Sequence, residues 1–182
     1  RIPTALITGS NGKTTTTRLV AAMCREQGWH TGHNCTDGLF LDGICYEAGD
    51  YSGPMGARSI LRNENVQAGI LETARGGILR RGLAVQSANV AAVTNISADH
   101  FGEYGIDDLD GLADVKLSIA HLLDREGLLV LNADDTLDLS FHPDANNTVW
   151  SLAVQADGKI LLGGDFTSVA GVARNRIARV NA

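Results

Sequence analysis

The chain has 182 residues, 44% of them apolar, a formal charge of −6 and a pI of about 5.2. That length allows one full domain, or one domain plus an appendage, with enough apolar content for a sizeable core. The acidic balance argues against a broad nucleic-acid surface but leaves room for a small anion pocket, and no apolar run approaches the roughly 20 residues needed to span a bilayer.

Taken in chain order, "TALIT" (4–8) is a short apolar run ending in glycine, the signature of a buried strand. From Lys13 to about Gln27, the residues Leu19, Ala22, Met23 and Gln27 fall at helical spacing, and Gly28 ends the segment. "HTGHNCTDG" and "LFLDGICYEAG" alternate and turn at Asp-Gly, which predicts extended segments. "GPMGARSILR" predicts a short helix. "QAGILET" (67–73) and "NVAAVTNI" (89–96) are two further buried strands. Residues 107–124 predict a helix with Leu109, Leu112, Val115, Ile119 and Leu122 on one face. "GLLVLNADD" (127–135) is a strand with a polar end. This order implies an α/β fold: a mostly parallel sheet flanked by helices, with polar motifs collected at the carboxyl ends of the strands.

Several residue types exclude chemistry. Cys24, Cys35 and Cys45 form no CxxC pair and are odd in number, so neither a disulfide framework nor a zinc site is expected. They read as small buried hydrophobes of a protein in a reducing cytosol. No signal peptide is visible, and the opening Arg1-Ile2-Pro3 reads as the start of a piece excised or processed from a longer chain. A cytoplasmic protein without membrane or nucleic-acid partners is expected.

"ITGSNGKTTTT" (7–17) carries the chemistry. In a phosphate-binding loop, backbone N–H groups surround an anion at a helix N-terminus, where the helix dipole also favours negative charge. The lysine of such a loop reaches the terminal phosphates, and its Ser/Thr hydroxyl binds Mg²⁺. Gly12-Lys13-Thr14 supplies that core after a strand and before a helix. The longer G-x-x-x-x-G-K-[ST] form would need glycine where Ile7 stands, so the loop is the shorter one that starts at Gly9. The residues alone leave a second reading open, an ordinary helix-entry turn.

Beyond the loop, "TGSNGKTTTTRL", "ETARGGILRRGL", "VTNISADHFGEYGI" and "LNADD" follow in an order and spacing that resemble the ATP-binding central domain of the Mur ligase family. The likeness is to its cyanophycin synthetase-like subgroup, which "CTDGLFLDG" and "GDYSGP" also resemble. The resemblance covers about residues 2–135 and implies a P-loop NTPase-like fold. It further implies ATP- and Mg²⁺-dependent amide ligation, in which a carboxylate becomes an acyl phosphate and an amine then displaces phosphate. Carried over by position, Gly9, Ser10, Asn11, Gly12, Lys13, Thr14 and Thr15 would hold ATP, with Asn132 reading the adenine. Thr14 and Glu72 would hold one Mg²⁺. His100 and Lys116 would support a second, Lys116 as a carbamate, so that Lys13, Lys116 and His100 form the catalytic set. The implied substrates are an aspartate side chain of an acidic peptide and arginine.

Each assignment has a plainer counterpart. Lys116 could be a lysine snorkelling from a helix edge, Glu72 the partner of Arg75, Arg80 or Arg81, and His100 a turn residue. Arg75 fits a fork on a carboxylate or phosphate and equally a pin for its own loop. His30, His33, His121 and His142 have no ligand-like grouping and receive no role.

From 137 to the end, "LDLSFHPDANNTVWSLAVQADGKILLGGDFTSVAGVARNRIARVNA" resembles a single delta-60 repeat of β-propeller-like proteins. This places a domain boundary at about 135/136. One repeat cannot bury its apolar face alone. Val149, Leu152, Val154, Ile160 and Leu162 therefore need cover from the ligase part, from another copy of the chain or from a repeat protein. The alternative to a ligase is a truncated, non-catalytic nucleotide-binding remnant fused to a β-repeat interaction module. A bare P-loop ATPase is a third reading, which the Glu72, His100 and Lys116 set disfavours.

Overall fold

The computed structural model describes residues 2–97, 102, 104–132, 144–155 and 159–181. Its centre is a five-stranded parallel sheet in the order β2 (Thr31–Cys35), β5 (Ala68–Glu72), β1 (Thr4–Thr8), β6 (Ala88–Val93) and β7 (Leu123–Leu131). Antiparallel strands extend it on both sides. β3 (Gly38–Leu41) and β4 (Ile44–Ala48) follow β2 as hairpins. On the far side, β8 (Val149–Gln155), β9 (Lys159–Gly164) and β12 (Ile177–Asn181) follow β7, giving ten strands in one sheet. A short hairpin of β10 (Ser168–Val169) and β11 (Val172–Ala173) stands apart from it.

The two faces are written into the strand alternation. Ala5 and Ile7 of β1 join Ala68, Ile70, Ala92 and Ala21 beneath α1 (Lys13–Glu26). Leu6 points the other way and joins Leu71, Ala91, Val93, Ala57, Ile60 and Ile119. On that second face lie α2 (Pro54–Leu61), α3 (Arg75–Arg81), α4 (Leu109–Leu117) and a 3₁₀ turn at Ser118–Leu122. Both faces of the parallel strands are covered, which is why these strands read as short, unbroken apolar runs.

The expected fold class is observed, with local differences. α1 turns Thr17 and Ala21 into the core and packs Val20 and Cys24 against it, while Leu19 and Met23 are exposed. The expected 107–124 helix ends at Leu117, and the strand expected at 127–135 begins four residues earlier, at Leu123. α3 was not expected. Of the cysteines, Cys35 is buried and Cys24 is half-buried, and burial pushes both thiols up from their ordinary range, but Cys45 lies exposed on the edge strand β4.

The tail builds a small core of its own from Ile160, Leu162, Phe166, Val169 and Ala178. Its strands also prolong the parallel sheet, because β8 pairs antiparallel with β7 from Leu128↔Gln155 to Leu131↔Leu152. The expected boundary at 135/136 and the "NADD" end of the strand beyond Asn132 lie outside the described residues. Among the described residues, no helix is long and apolar enough to cross a membrane.

Candidate functional site

Because β1, β2, β5, β6 and β7 are parallel, their carboxyl ends share one edge. β1 ends at Thr8, in register with Val93, while Ile7 is in register with Glu72. The loop of residues 9–12 therefore starts between the ends of β5 and β6.

The segment after β6 fixes that loop. Ser10 N–H donates to the Asn95 carbonyl at 2.9 Å, and Asn11 N–H donates to Asn95 Oδ1 at 3.0 Å. Asn95 Nδ2 donates back to the Asn11 carbonyl at 3.1 Å. The Ser10 hydroxyl donates to the Ser97 carbonyl and accepts the Ser97 N–H, both at 3.0 Å. Thr94 Oγ1 donates to the carbonyls of Thr8 and Asn11. Gly9 makes this closeness feasible: its φ is +147°, and a Cβ there would lie 1.9 Å from Thr94 Oγ1. Asn95 and Ser97 are thus the loop's scaffold. The sequence held a clue to them only in the polar "TNIS" after an apolar strand.

Two of the expected cradle N–H groups, those of Ser10 and Asn11, are engaged by Asn95 and do not face an open site. The open donors lie one step on. Gly12 is the left-handed N-cap of α1, no side chain caps the helix, and no acidic residue sits in its first turn. A helix start of this kind presents unsatisfied N–H groups and a positive dipole end to an anion. Lys13 folds back over the loop, its Nζ donating to the carbonyls of Gly9 at 3.1 Å and Ser10 at 3.0 Å. Thr15 is exposed on the same first turn.

Glu72 is 1% exposed at the end of β5. Its carboxylate accepts the Thr14 hydroxyl at 2.8 Å on one oxygen and the Thr36 hydroxyl at 3.0 Å on the other. No ion pair among the described residues reaches it, so the expected alternative partners Arg80 and Arg81 are not where its charge is met. Asn34 Nδ2 donates to the Glu72 carbonyl at 3.0 Å and to the Tyr51 carbonyl at 2.7 Å, fixing the end of β5 beside β2. Neither Thr36 nor Asn34 was singled out by sequence, since each is one polar residue within a turn-rich stretch.

Beside the loop opens a cavity of about 410 Å³. Among the described residues, its wall brings together Lys13, Lys116, Arg75, Arg80 and Arg81 with one acidic residue, Asp50, whose carboxylate is occupied by the N–H and hydroxyl of Ser52. Lys116 is 2% exposed, not a lysine snorkelling into solvent. Arg80 also lies over the Tyr104 ring, 5.6 Å from its centroid. Asn132 is exposed at the end of β7 and does not line the cavity. His100 lies outside the described residues. Among the described residues no three His, Cys, Asp or Glu side chains cluster, so a metal here would rest on Glu72 and hydroxyl oxygens.

The Mur ligase middle domain family matches residues 7–168, and a domain of unknown function (DUF5122) described as a beta-propeller matches residues 155–182. A cyanophycin synthetase from a Synechocystis species is 49% identical over 137 residues, 75% of this chain and 16% of that protein. The cyanophycin synthetase of Geminocystis herdmanii is 42% identical over 162 residues, 89% of this chain and 18% of its own length. The chain thus spans less than a fifth of the length of these two curated relatives. In structure it is similar to the MurF ligase of Thermotoga maritima solved with ADP, with a TM-score of 0.56 at 16% identity, covering 98% of this chain and 40% of that one. A bifunctional folylpolyglutamate synthase/dihydrofolate synthase solved with Mn, AMPPNP and L-glutamate aligns with a TM-score of 0.50 at 20% identity, covering 64% and 35%.

Proposed function

The chain belongs to the Mur ligase middle-domain family, and from that premise we propose that it is the ATP- and Mg²⁺-binding core of a cyanophycin synthetase-like amide ligase. The observation that carries this reading is the buried Glu72 carboxylate bonded to the Thr14 hydroxyl, one residue after Lys13, at the uncapped start of α1.

The donor set fits the implied metal. Mg²⁺ takes oxygen ligands at about 2.1 Å in an octahedron, so neighbouring ligand oxygens sit about 3 Å apart. Thr14 Oγ1 and Glu72 Oε2 are 2.8 Å apart, and both are oxygen donors of the preferred hard type. When bound, the metal would neutralise charge on the phosphates. The chain's own residues do the rest. The first N–H groups of α1, from Gly12 to Thr15, receive the β- and γ-phosphates. Lys13 exchanges the Gly9 and Ser10 carbonyls for phosphate oxygens. Gly9, Ser10 and Asn11, tied to Asn95 and Ser97, hold that surface still, which is the positioning on which phosphoryl transfer depends. Asn132, at the end of β7, is the proposed adenine reader, and His100 with Lys116 the support for a second Mg²⁺.

The cationic cavity then takes the acidic substrate. Arg80 and Arg81 offer planar forks for carboxylates, with Arg75 beside them at the start of α3. This supports a carboxylate-rich peptide as the group activated, with arginine as the incoming amine. Burial of Lys116 in that wall supports its proposed carbamylation, in which its Nζ bonds the carbon of CO₂ and releases one proton. A cytoplasmic setting follows from ATP as substrate.

A second reading, a non-catalytic remnant with a β-repeat interaction module, is favoured by one observation. The tail strands pair directly onto β7 where the domain's sheet would otherwise end. In that reading 1–135 and 136–182 are separate units by origin, and the exposed Ile177 and Val172 are where a repeat protein or a second copy would sit. Phosphate release in the presence of ATP, Mg²⁺, an aspartate-rich peptide and arginine separates the two. Release that depends on the amine supports the ligase, and nucleotide binding without it supports the remnant.

A further inference from the structure

On the opposite face of the sheet, under α1, lies a second cavity of about 120 Å³ lined by Arg18, Arg25, His33, Phe40 and Gly43. His33, on β2, is 2% exposed, and neither ring nitrogen has a hydrogen-bond partner among the described residues. Its ring stacks on Phe40 with centroids 4.5 Å apart and planes 7° apart, so the packing fixes the imidazole without satisfying it. An imidazole left this way is unusual, because buried polar atoms nearly always find a partner.

Two guanidinium groups close the same space. Arg18 and Arg25 are seven residues apart on α1, two helical turns, and so share the face above β2 and β3. The Arg18 guanidinium carbon lies 5.4 Å from the Phe40 ring centroid. The Arg25 guanidinium rests against Gly43, where a Cβ would come within 2.9 Å of Cζ and where φ is +83°, so glycine leaves the space Arg25 occupies. Two carboxylates lie nearby, and one of them already meets part of the Arg18 charge. Asp37 takes Arg18 Nη1 at 3.0 Å, and Asp42 takes His30 Nδ1 at 2.9 Å and the Thr31 N–H at 2.8 Å; neither lines the cavity.

We propose that this cavity is a binding site for a small oxyanion of phosphate size, held between the guanidinium groups of Arg18 and Arg25 with the His33 imidazole donating an N–H to it. Three donors of this kind converging on one space recognise a compact oxyanion, and Arg18 keeps guanidinium N–H groups for it beside the Nη1 that Asp37 takes. Burial, and then the Arg18 and Arg25 charges, hold the His33 pKa down at about 4, which reports the positive field that an anion would relieve. The site is distinct from the nucleotide loop, since Arg25 lies twelve residues, roughly 18 Å, along α1 from Lys13. Occupancy would clamp α1, whose first residue is Lys13, onto β2 and β3.

The test uses the full chain carrying Lys13→Ala, so that phosphate at the nucleotide loop does not dominate. Inorganic phosphate is titrated against chloride at matched ionic strength into protein with isotopically labelled histidine. The His33 ring signals are assigned by their absence from a His33→Gln variant and followed by NMR. The expected result is a saturable shift of the His33 signals with phosphate and none with chloride, weakened about tenfold or more by adding Arg25→Ala. Signals that follow ionic strength alone, or a saturation curve that Arg25→Ala leaves unchanged, would mean a hydrated cavity or an adventitious ion only, and would overturn the assignment.

Discussion

Replacing Glu72 by glutamine separates a metal-binding role from a structural one. Among the described residues, the carboxylate accepts the hydroxyls of Thr14 and Thr36 while 1% exposed. Glutamine keeps the shape. Its carbonyl oxygen accepts one of those hydroxyls, and its amide donates to the other, which can turn to accept. The charge removed is one that burial disfavours in the absence of a cation. Stability should therefore change by no more than about 1 kcal/mol, and a small gain is the expected sign, as for a functional group held at some cost to the fold. Nucleotide binding should behave oppositely. Interactions with a charged partner contribute about 1.5–3 kcal/mol each, so losing the anionic ligand should weaken Mg²⁺-dependent ATP binding by about 10- to 150-fold. Calorimetric titration with and without Mg²⁺, beside urea unfolding of the same samples, measures both. A variant that unfolds several kcal/mol more easily but retains full Mg²⁺ dependence would show that Glu72 serves only the fold.

Three further outcomes follow from the geometry. Lys116→Ala should leave ATP binding within a few-fold and abolish amine-dependent phosphate release, with recovery on adding acetate or formate; unchanged turnover would remove Lys116 from the reaction. Gly9→Ala should cost about 2 kcal/mol or more, because the new Cβ meets Thr94 Oγ1 at 1.9 Å and φ is +147°, and should disturb the Asn11 contacts made by Thr94; wild-type stability in urea would contradict the close approach. The third outcome concerns pH. His33 titrates near 6.5 when unfolded and at about 4 when folded, so between those values the unfolded chain binds more protons and stability falls as pH falls. The groups around it are Arg18 and Arg25 of α1, Phe40 of β3 and the apolar Ile70 of β5. Allowing for screening by water in the cavity, about 2 kcal/mol should be lost from pH 7 to pH 4 and be absent in His33→Leu; equal pH dependence in the two proteins would contradict it.

How much of this was legible in the sequence depended on the length of its patterns. The parallel strands were readable because burial on both faces leaves unbroken runs such as "TALIT" and "AGILE". The glycine loop was readable because Gly12-Lys13-Thr14 stands directly between an apolar strand and a helix. α3 was not, because it buries no residue and turns its arginines to a cavity, so it carries no apolar stripe. The outward face of α1 misled for a related reason: Thr17 and Ala21 are small enough to sit on the sheet, while the larger Leu19 and Met23 are left outside. The early start of β7 was hidden by Asp124, Arg125 and Glu126, which tolerate a strand near the sheet's end. Pairing of the tail with β7 is a long-range choice that local pattern does not encode. Of the site, Lys13, Thr14, Glu72 and Lys116 could be named from motifs, but Thr36, Asn95 and Ser97 act through hydrogen bonds across the strand ends and leave no periodic trace.

The most direct measurement is ATP binding in the presence of Mg²⁺ by the intact chain and by Lys13→Ala. Lys13 already sits over the loop with its ammonium on the Gly9 and Ser10 carbonyls, so its removal should leave the fold intact and cut ATP affinity by about 100-fold. ATP bound as tightly without Lys13 as with it would contradict the assignment of this helix start as the triphosphate site.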